Sequence, residues 1–186
     1  PWSSLSDAQK KASRDLSLEL RDGLTTKRVE KVNLFAFDVF GLSNVERDAI
    51  RDTLATVPPT AEEKKNALRV TTGEERRKFA ATFQDAMHGV LAASSVTVTV
   101  RVRDDLTFGD WRILQVDRYR GHQPERRQLD PIRFLEAADE AAASLVVVHD
   151  DAETALVGIL DRYRYWTPTR ARVLAATMLA EVDEHA

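Results

Sequence analysis

The run at residues 25–54, TTKRVEKVNLFAFDVFGLSNVERDAIRDTL, sets the frame for the rest of the chain. Thr25 or Thr26 stands where a helix is capped. Val29, Val32, Ala36 and Phe40 then recur at helical spacing, with Phe35 and Val39 widening the apolar face. Gly41 falls where the chain needs a left-handed C-terminal cap, a conformation that only glycine adopts cheaply. Ser43 opens the next helix, and Glu46 three residues on completes a reciprocal capping box. Val45, Ile50 and Leu54 form a second apolar stripe. The reading is a helix-glycine-helix hairpin over residues 25–55, with no nucleophile, metal cluster or phosphate loop in it.

Towards the N-terminus, Ser6 and Gln9 form a weaker capping box, and a helix extends to about Arg21 before Gly23 ends it. Its apolar face is thin (Ala12, Leu16, Leu18, Leu20), so it is expected to lie on a larger surface. Towards the C-terminus, Pro58 and Pro59 break the chain, and Thr60 with Glu63 begins a short polar helix. Thr72 or Gly73 starts a longer amphipathic helix with Phe79, Phe83, Met87 and Val90 on one face. Val96, Val98, Val100 and Val102 alternate with Thr97, Thr99, Arg101 and Arg103, the period of a half-buried strand. Residues 104–110 form a turn and 111–119 an antiparallel second strand, giving a β-hairpin over 96–119. Asp130 followed by Pro131 marks another helix start, with Ile132, Leu135 and Ala138 following. Residues 145–148 read as a buried strand. Asp150 with Glu153 caps a helix bearing Leu156, Ile159, Leu160 and Tyr163, and Thr167-Pro168 opens the last helix, with Leu174, Met178 and Val182 on one face. The expected architecture is α+β. A helical lobe at 1–93 precedes a mixed lobe at 94–186, in which a small antiparallel sheet is packed with helices.

Residues 31–50, KVNLFAFDVFGLSNVERDAI, resemble a segment that follows the catalytic domain in many large N6-adenine DNA methyltransferases of restriction-modification and phage-defence systems. The matching positions are Asn33, Phe40, Gly41, Leu42, Ser43 and Glu46. The helix carrying Phe79 and Phe83, and the terminal RYWTPTRARVLA at 164–175, are similar to later parts of the same C-terminal regions. Together they cover about half of the chain, and none is a catalytic motif. The resemblance implies a non-catalytic module or subunit of a bacterial DNA-modification system. Its expected partners are double-stranded DNA and a methyltransferase catalytic subunit or domain. Pro58-Pro59 is preceded by Val57 and followed by Thr60, so the Asn/Asp-Pro-Pro-aromatic motif of amino-methyltransferases is not matched there. The chain also lacks a glycine-rich S-adenosylmethionine loop. It is therefore not expected to transfer methyl groups, and no cofactor is expected.

With 43% hydrophobic and 31% charged residues, the 186-residue chain reads as a globular protein and not as a disordered tail. Its longest apolar run, near residues 141–148, is far too short to span a bilayer. No basic-then-apolar leader opens it. The absence of cysteine removes disulfides, thiolate zinc sites and cysteine nucleophiles, and weakly favours the cytoplasm. A net charge of −3 does not announce a nucleic-acid binder, so the distribution of charge carries more information than its sum. Every lysine lies at or before Lys78. Residues 134–161 are acidic, whereas the stretches on either side are rich in arginine.

Two basic-aromatic clusters are the candidate nucleic-acid contacts. In the first, Arg118, Arg120, Arg126 and Arg127 surround Tyr119, with His122 among them. Arginines there would meet phosphates while the tyrosine stacks on a base. The competing reading is a solvated loop paired with Asp117, Glu125 and Asp130. In the second, Arg164 and Arg170 flank Tyr165 and Trp166. Thr167, Thr169 and Arg170 would sit at a helix N-terminus that favours anions. The competing reading there is Trp166 as a packing anchor, with the arginines paired to the acidic stretch. His88, His122, His149 and His185 lack ligand spacing, so no metal is expected. Asp150, Asp151 and Glu153 serve more simply as a cap than as a cation site, and no residue set marks a catalytic centre. The other class of function open to such a chain is a protein-interaction module without DNA binding, its segregated charge and thin first helix marking a partner surface.

Overall fold

A computed structural model of the chain describes residues 5–23, 25–56, 61–122, 134, 136–137, 144–149 and 153–183, the side chains of 61–63 and 180–183 excepted. The expected helix start at Asp130-Pro131, Arg126 and Arg127, and the Asp150-Asp151 pair lie outside these residues. Among the described residues the helices and strands follow in the order α1 (Asp7–Leu20), α2 (Thr26–Val39), α3 (Asn44–Thr56), α4 (Ala61–Leu68), α5 (Gly73–Leu91), β1 (Thr97–Phe108), β2 (Trp111–Tyr119), β3 (Leu145–His149), β4 (Thr154–Leu160) and α6 (Pro168–Asp183). The protein is α+β. It divides into two compact units, residues 1–50 and 51–186, so α4 and α5, expected in the helical lobe, belong with the sheet.

In the first unit the helix-glycine-helix reading holds in its local chemistry. Thr25 Oγ1 accepts from the Arg28 amide and caps α2. At its end the Leu42 amide donates to Phe37 O at 3.0 Å and the Gly41 amide to Asp38 O at 3.2 Å. Gly41, at φ +64°, supplies the left-handed residue that this paired closure requires. Ser43 and Glu46 form the capping box, with the Ser43 amide 2.8 Å from Glu46 Oε2. Arg47 then ties the turn, donating to Leu42 O and Asp38 and lying over the Phe37 ring. The expected apolar stripes are corrected. Phe37 is the one buried residue described in this unit, while Val29, Phe40 and Val45 are exposed, as are Ile50 and Leu54 further along α3. Helical periodicity marks a face that seeks cover without showing what covers it.

The second unit is built on a four-stranded antiparallel sheet in the order β1-β2-β4-β3. One face carries Val98, Val100, Leu114, Val116, Val157 and Ile159 against Phe79, Phe83 and Met87 of α5 and Leu174 and Met178 of α6. Trp166, between β4 and α6, is 1% exposed. It packs 5.2 Å from Phe79, and its indole N–H donates to Leu160 O at 3.0 Å. The other face holds Ile113, Val146, Leu156 and Phe134 at the Trp111 end.

Residues 154–160 are strand, not the expected helix. The segment TALVGIL is buried along nearly its whole length because it is central and covered on both faces, so it shows no alternation. β3, expected as a buried strand, is the edge beside it. β1 extends to Phe108, into the turn expected at 104–110, with a register shift between Val102 and Thr107. At its outer edge the Val100 amide donates to Gln84 Oε1 at 2.9 Å, and His88 Nε2 lies 2.8 Å from Val98 O, so α5 side chains satisfy backbone groups that β2 cannot reach.

Candidate nucleic-acid interface

β2 runs out of the sheet at Arg118, Tyr119 and Arg120. Its pairing with Val98 and Thr97 of β1, and of Asp117 with Thr154, fixes this end in space. The Arg118 amide donates to Glu153 O at 2.7 Å. Here a cleft of about 420 Å³ is lined by all three residues together with Glu153, Leu91 and Val96. Arg118 and Tyr119 are half-buried. Arg120 is exposed and forms no ion pair with any described residue. The arrangement presents a cation, an aromatic ring and an apolar wall side by side, a combination suited to a phosphate with its base. Glu153 places a carboxylate in the same wall, which disfavours a second phosphate close by.

The second cluster does not join the first. Arg164 and Arg170 follow β4 and sit at the Trp111 end of the sheet, whereas Arg118 and Arg120 leave from the other end. Along a strand at about 3.3 Å per residue, the length of β4 separates the two by roughly 20 Å. Arg164 is exposed and lies over the Tyr165 ring at 5.0 Å. The N-terminus of α6 already has an anion: the Thr169 amide donates to Asp52 Oδ2 at 2.8 Å, and Asp52 is 8% exposed. An internal carboxylate thus holds the position expected for a phosphate. Of the neighbouring arginines, Arg162 pairs with Asp110 at 2.6 Å, and Arg112 with Asp161 at 2.7 Å. Thr71 donates to Asp161 through both its amide and its hydroxyl, which joins the start of α5 to the end of β4.

Sequence reasoning missed a polar network on the second face of the sheet. Arg101 and Arg103, taken for the solvent side of β1, point at β2. Arg103 Nη1 donates to Gln115 Oε1 at 2.6 Å, and Gln115 Nε2 to Asp117 Oδ1 at 2.7 Å. Arg101 and Thr154 also donate to Asp117. Asp105 grips Arg103 through two bonds, and the hydrogen bond to Asp105 holds the Arg103 guanidinium above its ordinary pKa. Asp117 and Gln115 are essentially inaccessible, at 0% and 1% exposure, and Arg101 Nε is a buried donor without a hydrogen-bond partner among the described residues. The alternation TVRVR reads as apolar-in and polar-out. The only signal to the contrary was QVD on the facing strand, which places two polar residues at the same inward-facing period.

Elsewhere, Glu75 is held down to about pKa 2, first by its hydrogen bond from Arg69 and further by the Thr72 amide at the start of α5. Burial raises the Tyr163 phenol. Both belong to the anchoring of α5, where Arg69 stacks over the Tyr163 ring at 4.3 Å. Among the described residues no three His, Asp or Glu side chains come together as metal ligands would, and no helix is long and apolar enough to cross a membrane. The fold and the cleft thus define an α+β protein with an arginine-lined recess at one end of its sheet. Compared with protein-family models, with curated proteins and with solved structures, the chain has no match.

Proposed function

We propose that this chain is a non-catalytic module of a bacterial restriction-modification or phage-defence system, acting in the cytoplasm beside a methyltransferase catalytic part. In this reading it touches double-stranded DNA at the end of β2. The observation that carries it is the cleft in which Arg118, Tyr119 and Arg120 meet, with Arg120 exposed and forming no ion pair with any described residue. The resemblance of residues 31–50 and 164–175 to methyltransferase C-terminal regions supplies the system. The role is one of contact and positioning: arginines neutralise phosphate while the fixed strand end sets their spacing.

Fluorescence anisotropy on a labelled duplex at two salt concentrations tests this. The wild type should bind at low salt, with affinity falling steeply as salt rises through counterion release. Arg118→Ala/Arg120→Ala should weaken binding about tenfold and lower the salt slope by roughly one to two. Arg164→Ala/Arg170→Ala, at the other end of the sheet, should change it less. No binding by the wild type at low salt would overturn direct DNA contact.

A second reading, a protein-interaction module without DNA binding, is favoured by one observation: Phe40 is 77% exposed and Val45 54%, with Val29 also open. These apolar side chains stand on the hairpin that carries the family resemblance, and they would meet a protein surface rather than DNA.

A further inference from the structure

α6 leaves a gap where it passes the start of β3. The gap is a recess of about 210 Å³, walled by Phe79, Ile159 and Leu174, with Leu145 and Val173 at its lip and Arg170 beside them. Phe79 and Ile159 are each 1% exposed, so these walls belong to the packed core, while Leu145 and Val173 are 37% and 54% exposed, so the recess is open. The Arg170 guanidinium is exposed and forms no ion pair with any described residue, although its own backbone amide is spent on Thr167 Oγ1.

We propose that this recess binds a small aromatic or branched aliphatic carboxylate, its apolar body against Phe79, Ile159 and Leu174 and its carboxylate on Arg170. Size and charge select this class. An apolar cavity of about 150 Å³ admits a benzene ring, so the recess has room for a ring and a short acid chain but not for a nucleotide. Arg170 is the one charged residue in the described lining, and Ser144, Tyr165 and Thr177 bring hydroxyls to the same recess, so a guanidinium with neutral donors beside it matches one carboxylate with planar, bidentate geometry. A phosphorylated ligand would bring a second charge that the recess does not answer. The inference is independent of DNA binding, because Arg170 lies at the opposite end of the sheet from the Arg118–Arg120 cleft.

Amide-detected NMR titration of the full chain tests it, with phenylacetate as probe and phenylacetamide as its neutral counterpart. Phenylacetate should produce saturable shifts confined to residues 79, 144–145, 159, 165 and 170–177 and their immediate neighbours. It should bind about tenfold more tightly than the amide, the difference expected of one charge-assisted hydrogen-bonded contact. Arg170→Ala, a change at an exposed position, should abolish that preference while keeping weak binding of both probes. Val173→Phe, which narrows the lip, should weaken both alike. The proposal is overturned if phenylacetate gives no saturable shifts, if acid and amide bind equally to the wild type, or if the preference survives in Arg170→Ala.

Discussion

Gly158 decides how the second face of the sheet closes. A methyl group built on its Cα would overlap the Phe134 ring, which lies against the glycine backbone and is held by Phe108 at 5.4 Å and Trp111 at 5.9 Å. Gly158→Ala is therefore expected to destabilise the protein by about 3 kcal/mol, at the upper end of overpacking penalties, as read by urea denaturation at neutral pH. An unchanged midpoint would show that Phe134 moves freely. At this scale the sequence was legible where a side chain acts on its own turn. Ser6 with Gln9, Ser43 with Glu46, and Gly41 all do what their local chemistry demands. It was not legible where a partner lies far along the chain. Nothing local ties Asp52 to Thr169, or Thr71 to Asp161, and each pair forms only once the sheet and helices are assembled.

At the scale of elements, strictly alternating β1 and the WRILQVDRY strand could be read directly. β4 could not, because a strand buried on both faces loses its alternation. Leu156, Ile159, Leu160 and Tyr163 happen to fall at helical spacing, and only pairing with β2 and β3 decides between the two. The start of α5 is where electrostatics enter. Glu75 closes the capping box with Thr72 and takes two bonds from Arg69, which in turn stacks on Tyr163. Its folded pKa of about 2 lies below the ordinary value of 4.5. The stability it contributes is thus fully present above pH 4.5 and is lost as pH falls towards 2. Solvent reaches both partners, so the contribution is about 1 kcal/mol and not the full value implied by the shift. Between pH 5 and pH 2.5 the wild type should lose about that much more stability than Glu75→Gln, measured by urea midpoints across the range. Parallel pH profiles would remove Glu75 from the acid limb.

For the whole molecule, the contrast between the two units is the main prediction. Residues 51–186 bury a broad core on both faces of the sheet, whereas the described part of residues 1–50 buries only Phe37. Local opening free energy follows buried apolar contact. Amides of α1 and α2 should therefore exchange at least about a hundredfold faster than those of β2 and β4, on the order of 3 kcal/mol in opening free energy. Uniform protection along the chain would contradict this. The α+β class was readable from the element pattern. The division at residue 50 was not, because α5 is amphipathic whichever partner it has, and only its packing on β1 and α6 assigns it to the sheet.

The bonds from Gln84 and His88 to the outer edge of β1 have a consequence for the protein at high concentration. An open strand edge is a template on which a second chain can extend the ladder, the first step towards fibrillar assembly. On β1 part of that template, at Val98 and Val100, is already filled from within the same molecule. Two side chains of α5 thus act as a guard against self-association, and a chain whose strand reads VTVTVRV is one that needs it.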